Sequence, residues 1–178
     1  MTLFLGDLKR EDLCGKTVLV RVDYNVPLKE NNISNTMHTT DTSRVRASLP
    51  SLEFLLRNGA KIVLCSHLDR PRGPDSRLSL RVLVEPLQEM VQEFTNSVKF
   101  VEDCVGTEVD KAKQELRDGE ILLLENVRFH SEEVANDPTF SEQLASYIDI
   151  YVNDAFGAAH RGTDVSTTRI FLIISFVS

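Results

Sequence analysis

Four polar clusters interrupt this chain, each directly after an apolar run. They are Asp23 and Asn25 in DYNVP; Ser66, His67, Arg70 and Arg72 in SHLDRPRG; Asn126, Arg128 and His130 in ENVRFH; and Asn153, His160 and Arg161 in NDAFGAAHR. Guanidinium forks match carboxylate and phosphate oxygens two at a time, and each charge-assisted hydrogen bond contributes ~1.5–3 kcal/mol net. Three of the clusters deliver an arginine with a histidine nearby, in a chain whose formal charge is −7. That combination points to a small dianionic ligand, with Asp23 and Asn25 meeting a hydroxyl or carboxylate on the same molecule. Ordering and desolvation offset much of the gross gain, so the expected affinity is micromolar to millimolar. Each cluster has a plainer explanation by itself. Asp23 or Asn25 can cap a turn before Pro27, His67 can be an ordinary loop histidine, Arg70 a solvated charge, and Arg128 a surface partner of Glu132 or Glu133. Convergence carries the argument, because independent surface arginines have no reason to choose the same edge of a sheet.

What could hold the clusters together is visible in the runs between them. KTVLVRVD (16–23), AKIVLCS (60–66), VKFV (98–101), EILLLE (120–125) and DIYVND (149–154) read as strands, and four of the five are almost continuously apolar, as strands covered on both faces are. Between them, SLRVLVEPLQEMVQEFT carries apolar residues at helical spacing from Leu80 to Phe94, with Ser79 as its cap. A second helix is predicted over 44–58, containing Pro50 and stopped by Asn58 and Gly59. Weaker helices are expected over 108–116 and 138–147. This alternation predicts an α/β fold: a doubly wound parallel sheet flanked by helices, a Rossmann-like three-layer sandwich. Ligands of such sheets bind beyond the carboxyl ends of the strands, where all four polar clusters fall. The stretch 29–43, rich in Asn and Thr, reads as one long irregular connection.

Composition narrows the function further. Twenty Lys and Arg against 27 Asp and Glu disfavour general binding to nucleic acid or anionic membranes, which need a broad positive field. Neither G-x-x-x-x-G-K-[ST] nor a strand-following G-x-G-x-x-G is present, nor a G-x-S-x-G elbow, and no metal motif appears. The acidic pairs Glu102-Asp103 and Glu132-Glu133 read as solvated. Cys14, Cys65 and Cys104 are odd in number and far apart, the usage of reduced thiols in a cytosol-like compartment. The N-terminus reads as mature sequence rather than a targeting segment. IFLIISFV (170–177) is far shorter than the ~20 residues of a membrane-spanning helix and reads as a strand or a sticky tail.

VLVRVDYNVPL, GAKIVLCSHLDRPRG, LLLENVRFHSEE and YVNDAFGAAHR, in this order, closely resemble the N-terminal domain of the phosphoglycerate kinase family. The resemblance implies a glycolytic enzyme that moves a phosphoryl group between 1,3-bisphosphoglycerate or 3-phosphoglycerate and Mg-ADP or Mg-ATP, the nucleotide being held by a separate C-terminal domain. Motif by motif, it implies that Asp23 and Asn25 contact the glycerate portion. His67, Arg70, Arg128 and Arg161 hold the phosphate that is not transferred, and Arg44 in TSRVRASLP stabilises the phosphoryl group in flight. His160 is implied to lie beside the site and to couple binding to closure. A cytoplasmic, usually monomeric protein is implied as well. Three departures stand out: Asp69 replaces the usual glycine of SHLGRP, the stretch before Arg44 is longer than the family norm, and GTDVSTTRIFLIISFVS after Arg161 leaves the family pattern. The expectation is therefore a substrate-binding domain over 1–161 followed by a divergent apolar tail over 162–178. Such a truncated chain binds no nucleotide alone and is inactive by itself. The alternative is a non-catalytic phosphoglycerate-binding or interaction module.

Overall fold

The computed structural model of the chain describes residues 2–3, 5–31, 33–34, 36–95, 97–155 and 173–175. In chain order the elements are β1 (Thr2–Leu3), α1 (Arg10–Leu13), β2 (Thr17–Val22), β3 (Leu28–Asn31), β4 (Thr36–Thr39), α2 (Ser43–Arg57), β5 (Lys61–Cys65) and α3 (Val84–Val91). They continue with β6 (Val98–Phe100), α4 (Thr107–Gln114), β7 (Ile121–Leu123), α5 (Ser131–Val134), α6 (Pro138–Leu144), β8 (Ile150–Asp154) and β9 (Ile173–Ser175). The five strands expected from the apolar runs are β2, β5, β6, β7 and β8. The described part of the apolar stretch near the end of the chain is strand β9.

Seven strands form one sheet in the order β1-β9-β8-β2-β5-β7-β6, and every neighbouring pair is parallel. Successive side chains of a strand face opposite ways, so each central strand feeds two cores. On one face Val18, Val20 and Val22 of β2 join Ile62 and Leu64 of β5 and Leu123 of β7 against Leu52 and Leu55 of α2 and Leu87 and Val91 of α3. On the other, Leu19, Val63, Leu122 and Tyr151 pack against Val109 of α4 and Phe140 and Leu144 of α6. This two-sided burial is why the strands read as unbroken apolar runs. β2 pairs with β5 on one side, Val18 opposite Ile62, and with β8 on the other, Val18 opposite Ile150. Strand order reverses about β2, and that reversal opens a crevice above its carboxyl end.

Two expectations change on contact with the structure. The stretch 29–43 is not irregular: β3 and β4 form an antiparallel hairpin, with Lys29 opposite His38 and Asn31 opposite Thr36. Asn31 closes its turn by accepting from the backbone N–H of Ile33 at 2.9 Å, the short local bond that suits asparagine to turns. The single helix expected after Ser79 is split. Ser79 Oγ does accept from the Arg81 N–H at 3.1 Å, but Leu80–Leu83 form a tight 3-10 turn and α-helical geometry begins only at Val84. Pro86 explains this, because its ring lacks an N–H and crowds the carbonyl four residues back, so a first turn accommodates it at least cost. α2 runs through Pro50 and stops as expected, with Gly59 at φ +80° and the Ala60 N–H bonded to the Leu55 carbonyl at 3.1 Å. A side chain at residue 59 would also approach Cys14 Sγ to 3.3 Å.

Candidate functional site

Three strand ends meet in one rim. Beyond β2, the Asp23 carboxylate pairs with the Arg44 guanidinium through Nη1 and Oδ2, and its Oδ1 accepts from the Asn25 N–H at 3.1 Å. Asn25 Oδ1 in turn accepts from the Asp69 N–H at 2.7 Å, which joins the end of β2 to the loop beyond β5. From beyond β7, Arg128 Nη1 donates to the Asp69 carbonyl at 2.8 Å. Asp69 is thus gripped from both sides, and it adopts φ +56°, the left-handed geometry that glycine or a short polar residue tolerates. Its carboxylate turns onto its own loop and accepts from the Arg70 N–H at 2.9 Å. A non-glycine residue is therefore accommodated in this left-handed turn.

A buried layer lies behind this rim. Asn126, fully buried, bridges both loops: its Oδ1 accepts from the N–H groups of Leu68 and Arg128, each at 3.1 Å, and its Nδ2 donates to the carbonyls of Leu68 at 2.8 Å and Leu78 at 3.0 Å. Glu125 backs it, accepting from the Asn126 and Leu80 N–H groups at 2.7 and 2.8 Å and from the Ser79 hydroxyl at 2.6 Å. Beyond β5, Ser66 Oγ accepts from the Tyr24 N–H at 2.9 Å. Deeper still, Arg21 of β2 reaches Glu133 of α5 at 2.7 Å, with both side chains under a tenth exposed. Burial works against the Arg21 charge, but Cys65 and the hydrogen-bonded Glu133 carboxylate outweigh it and hold the guanidinium above its usual range.

Electrostatics set a different role for His67 than a basic patch implies. Burial, reinforced by the nearby Arg128 and Arg21 cations, pushes its pKa down to about 4. The imidazole is neutral near pH 7, and its buried Nδ1 has no hydrogen-bond partner among the described residues. It offers a hydrogen bond rather than a charge. Arg70 and Arg72 are exposed on the same loop, and the Arg44 side chain is half-exposed. The structure therefore gathers Asp23, Asn25, Arg44, His67, Arg70 and Arg128. His160 and Arg161 lie outside the described residues. Asn153 is committed locally, accepting from the Ala155 N–H at 3.2 Å.

The reading of Glu132-Glu133 as a solvated pair is corrected. Glu132 is exposed, but Glu133 is buried against Arg21, and its Oε2 lies 4.0 Å from Arg128 Nε. The sequence signal for Arg21 was present, a lone arginine inside the apolar run VLVRV, where a buried charge demands an opposite partner. Among the described residues, Asp103, Cys104 and His130 are the group whose potential metal-ligand atoms come within 4.8 Å of one another. Each already has a partner: His130 Nε2 and Asp103 Oδ1 lie 2.7 Å apart, and the Cys104 thiol donates to the Glu125 carbonyl at 2.9 Å. Burial, with the nearby Asp103 and Glu125 carboxylates adding to it, pushes that thiol well up and keeps it protonated. The cluster acts as a clasp between the loop after β6 and the turn after β7.

Comparison with known proteins matches residues 8–175 to the family model described as phosphoglycerate kinase. The chain is 51% identical over 158 residues to the chloroplastic phosphoglycerate kinase of Volvox carteri, covering 88% of this chain and 33% of that protein. To the cytosolic phosphoglycerate kinase 3 of Arabidopsis thaliana it is 48% identical over 157 residues, covering 88% and 37%. The crystal structure of phosphoglycerate kinase from Pyrococcus horikoshii OT3 superimposes with a TM-score of 0.80 at 30% identity, over 99% of this chain and 42% of that one. The chain spans about a third of the length of the relatives it matches.

Proposed function

Because the chain belongs to the phosphoglycerate kinase family, we propose that its rim is the acceptor-substrate site of a kinase acting between 1,3-bisphosphoglycerate with ADP and 3-phosphoglycerate with ATP. The observation that carries this reading is the bonded path Asp23–Asn25–Asp69–Arg128, which ties the ends of β2, β5 and β7 into one rim. In this proposal Arg128 and Arg70 hold the phosphate that stays on the substrate, and the neutral His67 hydrogen-bonds to it, giving its unpartnered Nδ1 an oxygen. Asp23 and Asn25 orient the glycerate. Arg44, released from Asp23 by the incoming substrate, follows the charge of the transferred group. The substrate-binding domain expected over 1–161 takes in β9 as well, which lies between β1 and β8 in the same sheet, and His160 and Arg161 belong to the same proposed site. Phosphoryl transfer asks a protein chiefly for positioning and positive charge, which are what these side chains supply.

A magnesium nucleotide does not fit the described residues. No strand end among them carries a glycine-rich phosphate cradle, and the backbone N–H groups of Asp69 and Arg70 that could face an anion are taken by Asn25 and Asp69. In this reading the described residues serve the three-carbon substrate rather than the nucleotide. Monomeric action in the cytosol belongs to the same reading, supported by the cytosolic relative; the chloroplastic relative makes the plastid the competing compartment. No helix among the described residues is long and apolar enough to cross a membrane. Titration calorimetry of the chain with 3-phosphoglycerate tests the central claim. Micromolar to millimolar binding is expected, weakened ~10- to ~100-fold in Arg128→Ala by loss of a charge-assisted contact. Absence of binding, or binding indifferent to Arg128, would overturn the reading.

A further inference from the structure

We infer that Asn126 is a positioning residue that fixes the gap between Arg128 and the His67–Arg70 loop; the inference rests on the substrate reading above. A primary amide has two N–H donors and an oxygen with two lone pairs. All four are used here, and they reach three separate stretches of backbone: Leu68, Leu78 and Arg128. The same side chain therefore sets where the loop beyond β5 runs and where Arg128 starts. Arg128 then closes the figure by donating across the gap to the Asp69 carbonyl. Two anion-binding segments that arise 58 residues apart in sequence are thus spaced by one amide rather than by the flexible guanidinium.

Burial makes the arrangement specific. Asn126 is fully buried, so any bond it fails to make leaves a backbone group without water to replace it. Glu125 enforces the placement from behind, since its Oε1 accepts from the Asn126 N–H and the Leu80 N–H together. No other residue type of this size both donates twice and accepts twice: aspartate loses the donors, and leucine loses all four bonds. All four hydrogen-bonding positions of the side chain are taken by backbone, so it acts through Arg128 and the loop.

The test is titration of 3-phosphoglycerate into the whole 178-residue chain, its Asn126→Ala and Arg128→Ala variants, and the double variant. Displacement of a binding group by about 1 Å can cost up to ~100-fold, so Asn126→Ala is expected to weaken binding ~10- to ~100-fold. If Asn126 works through Arg128, the double variant binds within about 3-fold of Arg128→Ala rather than showing the product of the two losses, the non-additivity of coupled sites. Amide hydrogen exchange in Asn126→Ala should accelerate at Leu68 and Arg128 while the core amides of Leu19 and Val63 stay protected. Should Asn126→Ala not fold, Asn126→Asp, which keeps the acceptors and loses both donors, is read the same way. Additive losses with exchange accelerated throughout the core would mean general destabilisation and overturn the inference. Wild-type binding with indifferent Asn126 variants would overturn this inference alone. A wild-type chain that binds nothing would overturn the substrate reading, and this inference with it.

Discussion

The two sides of the rim are built differently. Beyond β5 and β7 most polar groups are already bound to neighbouring backbone: Asn126 spends its whole amide, Arg128 holds the Asp69 carbonyl, and Glu133 is locked to Arg21. Beyond β2 and at the start of α2, Arg44 stands half-exposed and reaches a single carboxylate, Asp23, that the substrate itself is proposed to contact. The difference teaches where rigidity is needed. A group that only holds an anion gains from fixed geometry, because ordering costs are met in folding rather than in binding. In the role proposed for Arg44, a group that follows a moving charge needs a partner it can leave, and a solvent-facing ion pair worth ~0–1 kcal/mol is such a partner.

The sharpest way to break the comparison is on the fixed side. Arg21→Ala leaves buried Glu133 without its hydrogen-bonded counter-charge and with only the more distant Arg128, and a loss of ~3–5 kcal/mol in denaturant-measured stability is expected; a loss under about 1 kcal/mol would mean the rim is not braced from beneath. A second comparison uses pH. His67 is held neutral, its pKa lowered from the usual value to about 4, so the unfolded chain binds the extra proton first. Its contribution is present above pH ~6.5 and is lost as pH falls toward 4. Asp154 at the end of β8 behaves oppositely: burial raises its carboxyl to about 6, so its contribution is present below pH ~4 and is lost as pH rises through 6. Between pH 4 and 7 the two contributions oppose each other, so relative to the unaltered chain the stability of His67→Asn should fall as pH rises and that of Asp154→Asn should rise; equal slopes in all three chains would refute both assignments. The smallest effect belongs to the loose side. Arg44→Ala should change stability by less than ~1 kcal/mol, and a larger loss in denaturant titration would show that Arg44 is anchored after all.

The sheet was legible because its strands are apolar on both faces, and the rim because its residues follow strand ends; Asp23, Asn25, His67 and Arg128 could be placed from those two facts alone. The hairpin was missed because β3 and β4 are almost wholly exposed or half-buried polar strands, and such strands lack the alternation that betrays a sheet with one buried face. The split before α3 needed Pro86 to be weighed against an otherwise continuous apolar stripe. Glu133 was misread because neighbouring acidic residues normally share solvent, and only the fold reveals that one of the two turns inward to meet Arg21. Asn126 could be seen to follow a strand, but nothing in a linear sequence states that its amide will face three distant carbonyl and amide groups.

The Arg21–Glu133 contact also constrains how this protein can change over generations. The two positions lie 112 residues apart, yet a lineage that replaced only one of them would have to survive with a stranded charge inside the molecule. Neutral drift at either position is therefore blocked unless its distant counterpart drifts with it, and the pair should be inherited as a single character.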